Sequence, residues 1–426
     1  MIEGAQRTKP GYIYNESGLH PGDSHSEKSI EEAVRLAEQQ LYNTKLFTYV
    51  YVDYQASKQG WNIQIRLEER WYMYSMPYAA LFDRNFNEWR INYDAELRRL
   101  IYGLNYTQRN LSGVNDRLAI IALGGFERSL KLGYERPFFV NGDRVLLYGF
   151  AEQVNRKRTN YVTKDDILQF VQSDKNLLRT TQLGLGISYR KGFFTFHKLG
   201  LLYLGRRIND TLFQLNPTYS TSGQSPFRFT YLNYTFSYDN RDIRGYARRG
   251  NLFEVNAGIG SVRSIQEPSL NLRLNYARHF SLGKHVFSAH QAIVQLRNES
   301  AWPYHMNNGI GWLQNGLRNH DRYVLESHNF LIQRNSLRMM SKPIHVNFPF
   351  IPWEKLSFVD FVLVPKIYFD WAFIPDSGTL KNNTFYHAPG IGLDMVFYDD
   401  AVWRFEYGLN DFGEIGFFLN FTTAIQ

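Results

Sequence analysis

The chain has 426 residues, a formal net charge of +8 at pH 7 and no cysteine, which excludes disulfide frameworks and cysteine-based metal or nucleophile sites. Aromatic residues make up 16% of it, its mean hydropathy is -0.40, and it has no run of 18 apolar residues, so transmembrane helices are excluded. The basic residues are scattered and form no tract, so nucleic acid is not an expected partner.

Residues 1–28 are polar and rich in Gly, Ser and Pro, which predicts a flexible amino-terminal segment. From Ser29, apolar residues at helical spacing predict an amphipathic helix to about Asn43, with Ser29 and Glu32 as a capping pair. Two segments with period-2 alternation follow, LFTYVYVDYQ and GWNIQIRLEER. Residues 29–71 are therefore expected to form a small α+β module. The first residues lack a secretory signal pattern, so we expect any export signal to be removed or upstream.

From about residue 79 the chain consists of repeated segments in which apolar and polar side chains alternate. Many of these segments run for 10 to 14 residues with aromatic side chains near their ends, which favours a membrane barrel with a polar lumen over a soluble sandwich. The residues predicted to face lipid are Leu183, Leu185, Leu270, Leu272, Leu274, Phe369 and Trp371.

Sixteen such segments can be counted, an even number typical of outer-membrane barrels. They start near residues 79, 98, 116, 127, 144, 180, 195, 227, 251, 269, 284, 328, 359, 388, 401 and 414. Short connections between these segments are expected to face the periplasm, and long connections are expected to face the exterior. The predicted fold class is all-β: a 16-stranded antiparallel transmembrane β-barrel over residues 72–426, with a small periplasmic α+β segment before it.

Several stretches together resemble the outer-membrane insertase and translocase superfamily of the BamA and TamA type, in particular its short Bacteroidetes-like members. AEQQLYNTKLFTYVYV with IQIRLEERWYMYSMPYAALFDRNFNEW is similar to the end of a POTRA domain entering the first barrel strand, without the strand and helix that begin a full module. YDNRDIRGYARRGNLFEVNAG resembles the family's Asp-x-Arg-Asp hairpin, and GIGLDMVFYDDAVWRFEYGLNDFGEIGFFLNF its last three strands.

GLRNHDRYVLES resembles the family's lid-loop motif, with Arg318 retained and Asn319, His320 and Asp321 after it, where the family has Gly and an aromatic residue after the Arg. We expect this loop to fold back into the barrel, because so many charges need partners there. Period-2 parity selects Asp370, Asp394 and Glu406 as the inward-facing acids for Arg318, and the resemblance favours Asp370. The resemblance also implies a carboxy-terminal assembly signal formed by Gly416, Leu419 and Phe421.

Some of the polar residues in these stretches could instead form a metal site or a hydrolytic site. His305, His320 and His328 match no metal-ligand spacing, and exposed loop histidines are the simpler interpretation. His320, Asp321 and Ser327 lack the nucleophile elbow of a hydrolase. A polar turn explains DNRD at 239–242 more simply than a calcium site. The sequence therefore predicts no enzyme, no cofactor and no metal.

The resemblance implies a protein of the bacterial outer membrane that assists insertion of outer-membrane proteins or translocates proteins. Its expected partners are outer-membrane lipids, unfolded or partly folded client proteins, and periplasmic or lipoprotein accessory subunits. The alternatives are a structural or accessory barrel that has lost activity, which fits the altered lid motif, and a passive pore, which fits the polar lumen.

Overall fold

The computed structural model covers the full chain. No helix in its described part is long and apolar enough to span a membrane. The residues that it describes are 1–57, 60–82, 89–91, 93–141, 143–220, 223, 225–262, 267–298, 302–307, 309–312, 315–347, 358–375, 383–397 and 401–423.

The amino-terminal part of the chain forms a small α+β module. Its sheet has the order β1-β3-β2, with β1 parallel and β2 antiparallel to β3. The amphipathic helix α2 packs on β2, and α1 packs on α2. The elements are β1 (Ile2–Glu3), α1 (Pro10–Ser17), α2 (Glu27–Asn43), β2 (Phe47–Ser57) and β3 (Gly60–Glu69).

Residues 1–28 differ from the flexible segment that their composition predicted. The first strand joins the sheet, and Tyr12 and Ile13 of α1 are buried in the core of the module. A strand and a helix therefore precede α2 in the module, within the segment predicted to be flexible. Helix α2 also begins at Glu27, with Ser26 as its N-cap residue, so the predicted Ser29 cap is wrong. Composition misses such a short helix because only a few of its side chains are apolar.

The described residues of the rest of the chain lie mainly in antiparallel strands, with a short α-helix and with 3-10 turns at Leu97–Arg99 and Tyr304–Met306 among them. The elements are β4 (Met73–Leu81), β5 (Leu100–Arg109), β6 (Arg117–Gly125), β7 (Glu127–Val140), β8 (Asp143–Arg156), β9 (Arg158–Lys164), β10 (Ile167–Gln172), β11 (Leu178–Lys191), β12 (Thr195–Ile208), α3 (Asp210–Leu215), β13 (Phe227–Asp239), β14 (Gly250–Val262), β15 (Ser269–Ser281), β16 (Val286–Arg297), β17 (Phe330–Met339), β18 (Ile344–Asn347), β19 (Phe358–Ile374), β20 (Thr384–Phe397), β21 (Ala401–Leu409) and β22 (Ile415–Thr423).

These strands close into a barrel in which β8 pairs with β11 and β22 lies next to β4. Strands β17 and β18 both pair with β19, over Leu331–Arg338 and Ile344–Asn347, so they share one position. The barrel therefore has sixteen strand positions, and the predicted fold class is confirmed. The predicted starts agree within about four residues, except that β4 begins at Met73. Pro77 interrupts the alternation there, which hid the start of this strand.

The outer face of the barrel is apolar, as a bilayer requires. Leu185, Leu201 and Leu232 lie in register on β11, β12 and β13 at the middle of the strands, and all three are exposed. The predicted lipid-facing residues Leu183, Leu270 and Phe369 are about half exposed on the same face. Alternation thus assigned the outward set correctly, because a membrane barrel exposes the apolar side chains that a soluble sheet would bury.

The module contacts one end of the barrel, here called the turn end, through α1. Glu16 is almost completely buried and pairs with Arg190 of β11 at 2.6 Å and with Arg144 of β8 at 3.8 Å. The hydroxyl of Tyr12 donates to Glu16 and accepts from Asn115, in the turn between β5 and β6. Burial raises the pKa of Tyr12, so this phenol stays protonated as a donor.

A second contact at the turn end joins the start of the chain to β3. Thr8 donates to Glu69 from its hydroxyl at 2.6 Å and from its amide at 2.8 Å, and the amide of Arg7 donates to the same carboxylate. Asn110, in the turn between β5 and β6, donates to the hydroxyl of Thr8 at 2.9 Å. Burial opposes ionisation of Glu69, but these hydrogen bonds outweigh it and lower its pKa. Residues 7–17 thus hold the module against the barrel.

Candidate functional site: the lid loop inside the barrel

The connection between β16 and β17, residues 298–329, is here called the lid loop. Its residues Ile310, Leu317, Tyr323 and Leu325 are buried in one cluster with the inner wall of the barrel, and the bridge between Ile310 and Leu325 joins its two arms. Leu317 is 2% exposed and belongs to the same cluster as Ile332 and Tyr386 of the wall. The loop is therefore folded into the lumen.

A hairpin of β9 and β10 contacts the lid loop at the opposite end of the barrel from the module, here called the lid end. The carbonyl of Asp166, at the tip of the hairpin, accepts from the amide of Val324 at 2.7 Å. The hydroxyl of Tyr304 contacts Asn160 and Thr163 of β9. This hairpin lies in a stretch that sequence reasoning treated as a long loop. Its tip residues Asp165 and Asp166 have positive φ, and an Asp-Asp pair between two alternating segments is the turn signal in the sequence that could have revealed the hairpin.

The structure brings Arg318 and Asp370 together. The Arg318 guanidinium donates to both carboxylate oxygens of Asp370 at 2.5 Å, while the side chain of Asp370 is fully buried. The amide of Asn335 donates to the same carboxylate at 3.0 Å. The guanidinium also lies 4.1 Å from the ring centre of Tyr368, a cation–π contact. A planar fork on a carboxylate fixes orientation as well as distance, so this contact defines how the loop sits.

The other two candidate acids take different partners. Glu406 lies 3.7 Å from the Arg318 guanidinium and 2.6 Å from the ammonium of Lys366. Asp394 does not contact Arg318; Lys366 donates to one of its oxygens at 2.6 Å and the hydroxyl of Tyr246 to the other at 2.7 Å. A continuous buried polar chain therefore runs from the β13–β14 turn at the turn end to the lid loop.

Lys366 and Tyr246 were not predicted as parts of this network. For Lys366 a signal exists, because it shares the inward parity of Asp370 on one strand and points at the same lumen. Tyr246 could not be found from the sequence. It lies in a turn, and alternation along a strand does not predict where the side chains of a turn point.

Asn319 stands where the family motif has glycine, and the structure explains why it is accommodated. Its backbone φ is +65°, a left-handed conformation that glycine adopts freely and asparagine better than most other residues. Its side chain donates to the carbonyls of Pro389 and Leu409 at 2.9 and 3.0 Å and accepts from Tyr368 at 2.7 Å. Gly408 leaves the space, since a Cβ there would lie 2.3 Å from the Asn319 amide nitrogen. Asparagine thus keeps the turn and adds three hydrogen bonds.

His320 stands where the family motif has an aromatic residue, and it packs like one. Its ring makes edge contacts with Tyr386 and Phe412, each at 5.9 Å, and the residue is 1% exposed. Its Nε2 lies 3.5 Å from Asp411, and the half-buried Asp321 follows in the turn. Ser327 instead donates to the carbonyl of Asn329 at 2.5 Å, so the residues of the weighed triad are not assembled.

The remaining weighed sites are built as structural contacts. His305 stacks on Tyr219 and bonds to its carbonyl, far from the His320 environment. Within the described residues, no group of three histidines or acids is placed to hold a metal ion. Asp239 pairs with Arg241, and Asp242 accepts backbone amides of its own turn, which gives the DNRD segment a turn-forming role.

The carboxy-terminal candidates lie on β22. Gly416 pairs in register with Gly408, Leu419 with Phe405, and Phe421 with Trp403. Phe417 and Ile415 share the outward parity of Leu419 and are more than half exposed, whereas Phe418 is buried inside the barrel. The strand thus presents Ile415, Phe417 and Leu419 outward.

A closed sixteen-position barrel with an apolar outer face and a loop locked in its lumen defines the chain as a transmembrane β-barrel. Among solved structures, it is similar to BamA from Haemophilus ducreyi lacking POTRA domains 1–3, with 15% identity and a TM-score of 0.57, over 99% of this chain and 83% of that one. CdiB from Escherichia coli matches with 12% identity and a TM-score of 0.59, over 99% and 74% of the two chains.

CdiB from Acinetobacter baumannii matches with 11% identity and a TM-score of 0.57, over 99% of this chain and 72% of that chain. No protein-family model and no curated protein matches the sequence. At these identities the comparisons show a shared fold. The chain therefore has the fold of the BamA and CdiB barrels, as the resemblance predicted.

Proposed function

We propose that the protein acts in the bacterial outer membrane as a protein-inserting or protein-translocating barrel whose lumen is closed by the lid loop. The observation that carries this function is the two-pronged contact of Arg318 with the fully buried Asp370. A passive pore needs an open lumen, whereas a loop locked into the barrel by a buried ion pair supports a regulated passage. The shared fold with BamA and CdiB supports the same conclusion.

The geometry of the lid motif favours an active barrel over an accessory one. Asn319 and His320 depart from the family pattern, yet Asn319 keeps the left-handed turn and His320 the aromatic packing. Asn319 contacts β20 and β21, and His320 contacts β20 and the turn between β21 and β22, the last strand before the seam with β4. Movement of the lid loop would therefore change the contacts of the strands that lead to this seam.

The seam between β4 and β22 is the proposed place where a client strand enters. Strands β4 and β22 are the first and last strands of the barrel, and they lie next to each other as hydrogen-bonded neighbours. Pro77 of β4 has no amide hydrogen to donate. Proline occurs in sheets mainly on edge strands and at bulges. If the two terminal strands part, they present two strand edges to which a client strand can add. The module at the turn end is the proposed docking site for periplasmic accessory subunits.

A liposome assay with an unfolded barrel client tests this function. The full chain should accelerate folding of the client, and a disulfide between one cysteine introduced in β4 and one in β22 should abolish the acceleration until it is reduced. The chain has no native cysteine, so the disulfide is unambiguous. The same cysteine pair placed in β12 and β13 is the control. Unchanged client folding with the seam closed refutes the proposal, and a steady large conductance of the native protein would instead indicate a passive pore.

A further inference from the structure

The outer face of the barrel carries a row of polar side chains at the lid end of four neighbouring strands. Arg128 of β7 is in register with Asn155 of β8, Asn155 with Arg179 of β11, and Arg179 with Arg207 of β12. All four share the outward parity of the exposed leucines on their strands, and the three arginines are exposed. These four residues are here called the basic row.

The basic row holds more positive charge than its surroundings neutralise. Directly opposed residues in an antiparallel sheet have Cβ atoms roughly 5 Å apart, and like charges at that distance destabilise the pair. Arg179 donates to the neutral Asn155 side chain at 3.0 Å. No ion pair among the described residues includes Arg128, Arg179 or Arg207. Arg228 of β13 adds a further exposed cation opposite Gly205. An anion bridging the row would relieve this repulsion.

The row lies at the boundary between the apolar band and water. Going from the row toward the middle of the barrel, the outward residues of β11 are Thr181 and then Leu183, which is 48% exposed. On β12, the Tyr203 hydroxyl lies 3.2 Å from where a Cβ of Gly205 would be, so the phenol points toward Arg207. Tyrosine marks the membrane interface in this way, and arginine reaches from there into the headgroups.

Among the described strand residues, the basic row has no counterpart on the opposite side of the barrel. On the other side, the outward residues at the lid ends of β15, β16, β20, β21 and β22 are exposed apolar side chains: Leu270, Leu296, Phe385, Leu409 and Ile415. A general girdle of interfacial cations would surround the barrel. A local row indicates a bound partner on this side.

We propose that the basic row binds the phosphate groups of a phosphorylated lipid headgroup in the leaflet at the lid end. Guanidinium groups bind phosphate oxygens in pairs, and three of them in one row match a headgroup with more than one phosphate. The exposed apolar band directly below supplies a surface for the acyl chains, which a free phosphate ion does not need. This lipid site does not depend on client handling.

Lipid binding by the purified full chain in neutral detergent tests the proposal. The probes are bisphosphorylated lipid A and the same lipid with its phosphates removed, and native mass spectrometry measures the bound fraction. The full chain should bind the phosphorylated lipid on the order of 100-fold more tightly, since each arginine near the surface adds to attraction for anionic lipid. Arg179→Gln should lose about fivefold, and the combined Arg128→Gln, Arg179→Gln, Arg207→Gln variant nearly the whole preference.

The matched control removes the same charge from the outward face near the turn end. The combined Arg136→Gln, Lys191→Gln, Arg278→Gln variant changes three exposed cations and should keep the preference. Equal losses in the two triple variants, or no preference in the full chain, would overturn the site. Inorganic phosphate that competes at micromolar concentration would overturn the assignment to a lipid. Because the row is on the surface, heat-modifiable mobility should show all variants folded.

Discussion

Removal of the Arg318 guanidinium should destabilise the closed lid loop strongly. Asp370 is fully buried, and without Arg318 its carboxylate keeps the Asn335 amide at 3.0 Å as its hydrogen-bond donor. Breaking a buried pair by removing one partner costs about 3 to 5 kcal/mol, which is the expected loss for Arg318→Ala. Asp370→Ala should cost less, about 2 to 3 kcal/mol, because Arg318 retains Glu406 at 3.7 Å and the ring of Tyr368.

A double-mutant cycle measures the contact itself. The free energy of unfolding is obtained from urea titration of the protein in bilayers, followed by heat-modifiable mobility. If the two residues act together, the double variant should cost little more than Arg318→Ala, with a coupling energy of about 2 to 3 kcal/mol. Losses that simply add would refute the lock.

Another arginine of the lid loop provides the control for this cycle. Arg322 pairs with Glu414 at 2.6 Å, but these side chains are 24% and 34% exposed. Because solvent screens this partly exposed pair, Arg322→Ala should cost far less than Arg318→Ala, about 1 kcal/mol. A loss as large as that of Arg318→Ala would mean that general loop charge, and not the buried contact, holds the lid.

Leu201→Arg puts a charge at the middle of the outer face and should cost about 2 to 4 kcal/mol in bilayer unfolding, while Leu201→Phe should cost far less; equal costs would contradict the outward assignment. Phe421→Asp should abolish assembly of the folded barrel, because Phe421 pairs with Trp403 in the last strand, and a normal yield of heat-modifiable protein would count against the assembly signal. The lowered pKa of Glu69 makes its contact with Thr8 fully stabilising above about pH 4.5 and lost as the pH falls through the folded pKa. The protection of the amides of residues 7–17, measured as their exchange rate relative to the intrinsic rate at the same pH, should therefore fall below that range, and in Glu69→Gln this protection should not change with pH.

Alternation along single strands determined much of the architecture. Each strand of a membrane barrel faces lipid on one side and the lumen on the other. Apolar outward residues such as Leu183 and Leu201 therefore alternate in the sequence with mainly small or polar inward residues. Parity likewise marked Asp370 as an inward acid before any contact was known. These features are local, because they depend on the two environments of one strand and on no particular neighbour.

The contacts between distant elements were decided only by tertiary structure. Alternation along the strands predicted that Asp370, Asp394 and Glu406 all face inward, and it did not distinguish between them. The stagger of the closed barrel brings Asp394 to Lys366 and Tyr246, and it brings Asp370 to Arg318. The docking of α1 has the same origin, since Glu16 meets Arg190 only because the module packs under the turn end. Periodicity reports which way a side chain points, whereas register and packing determine what it meets.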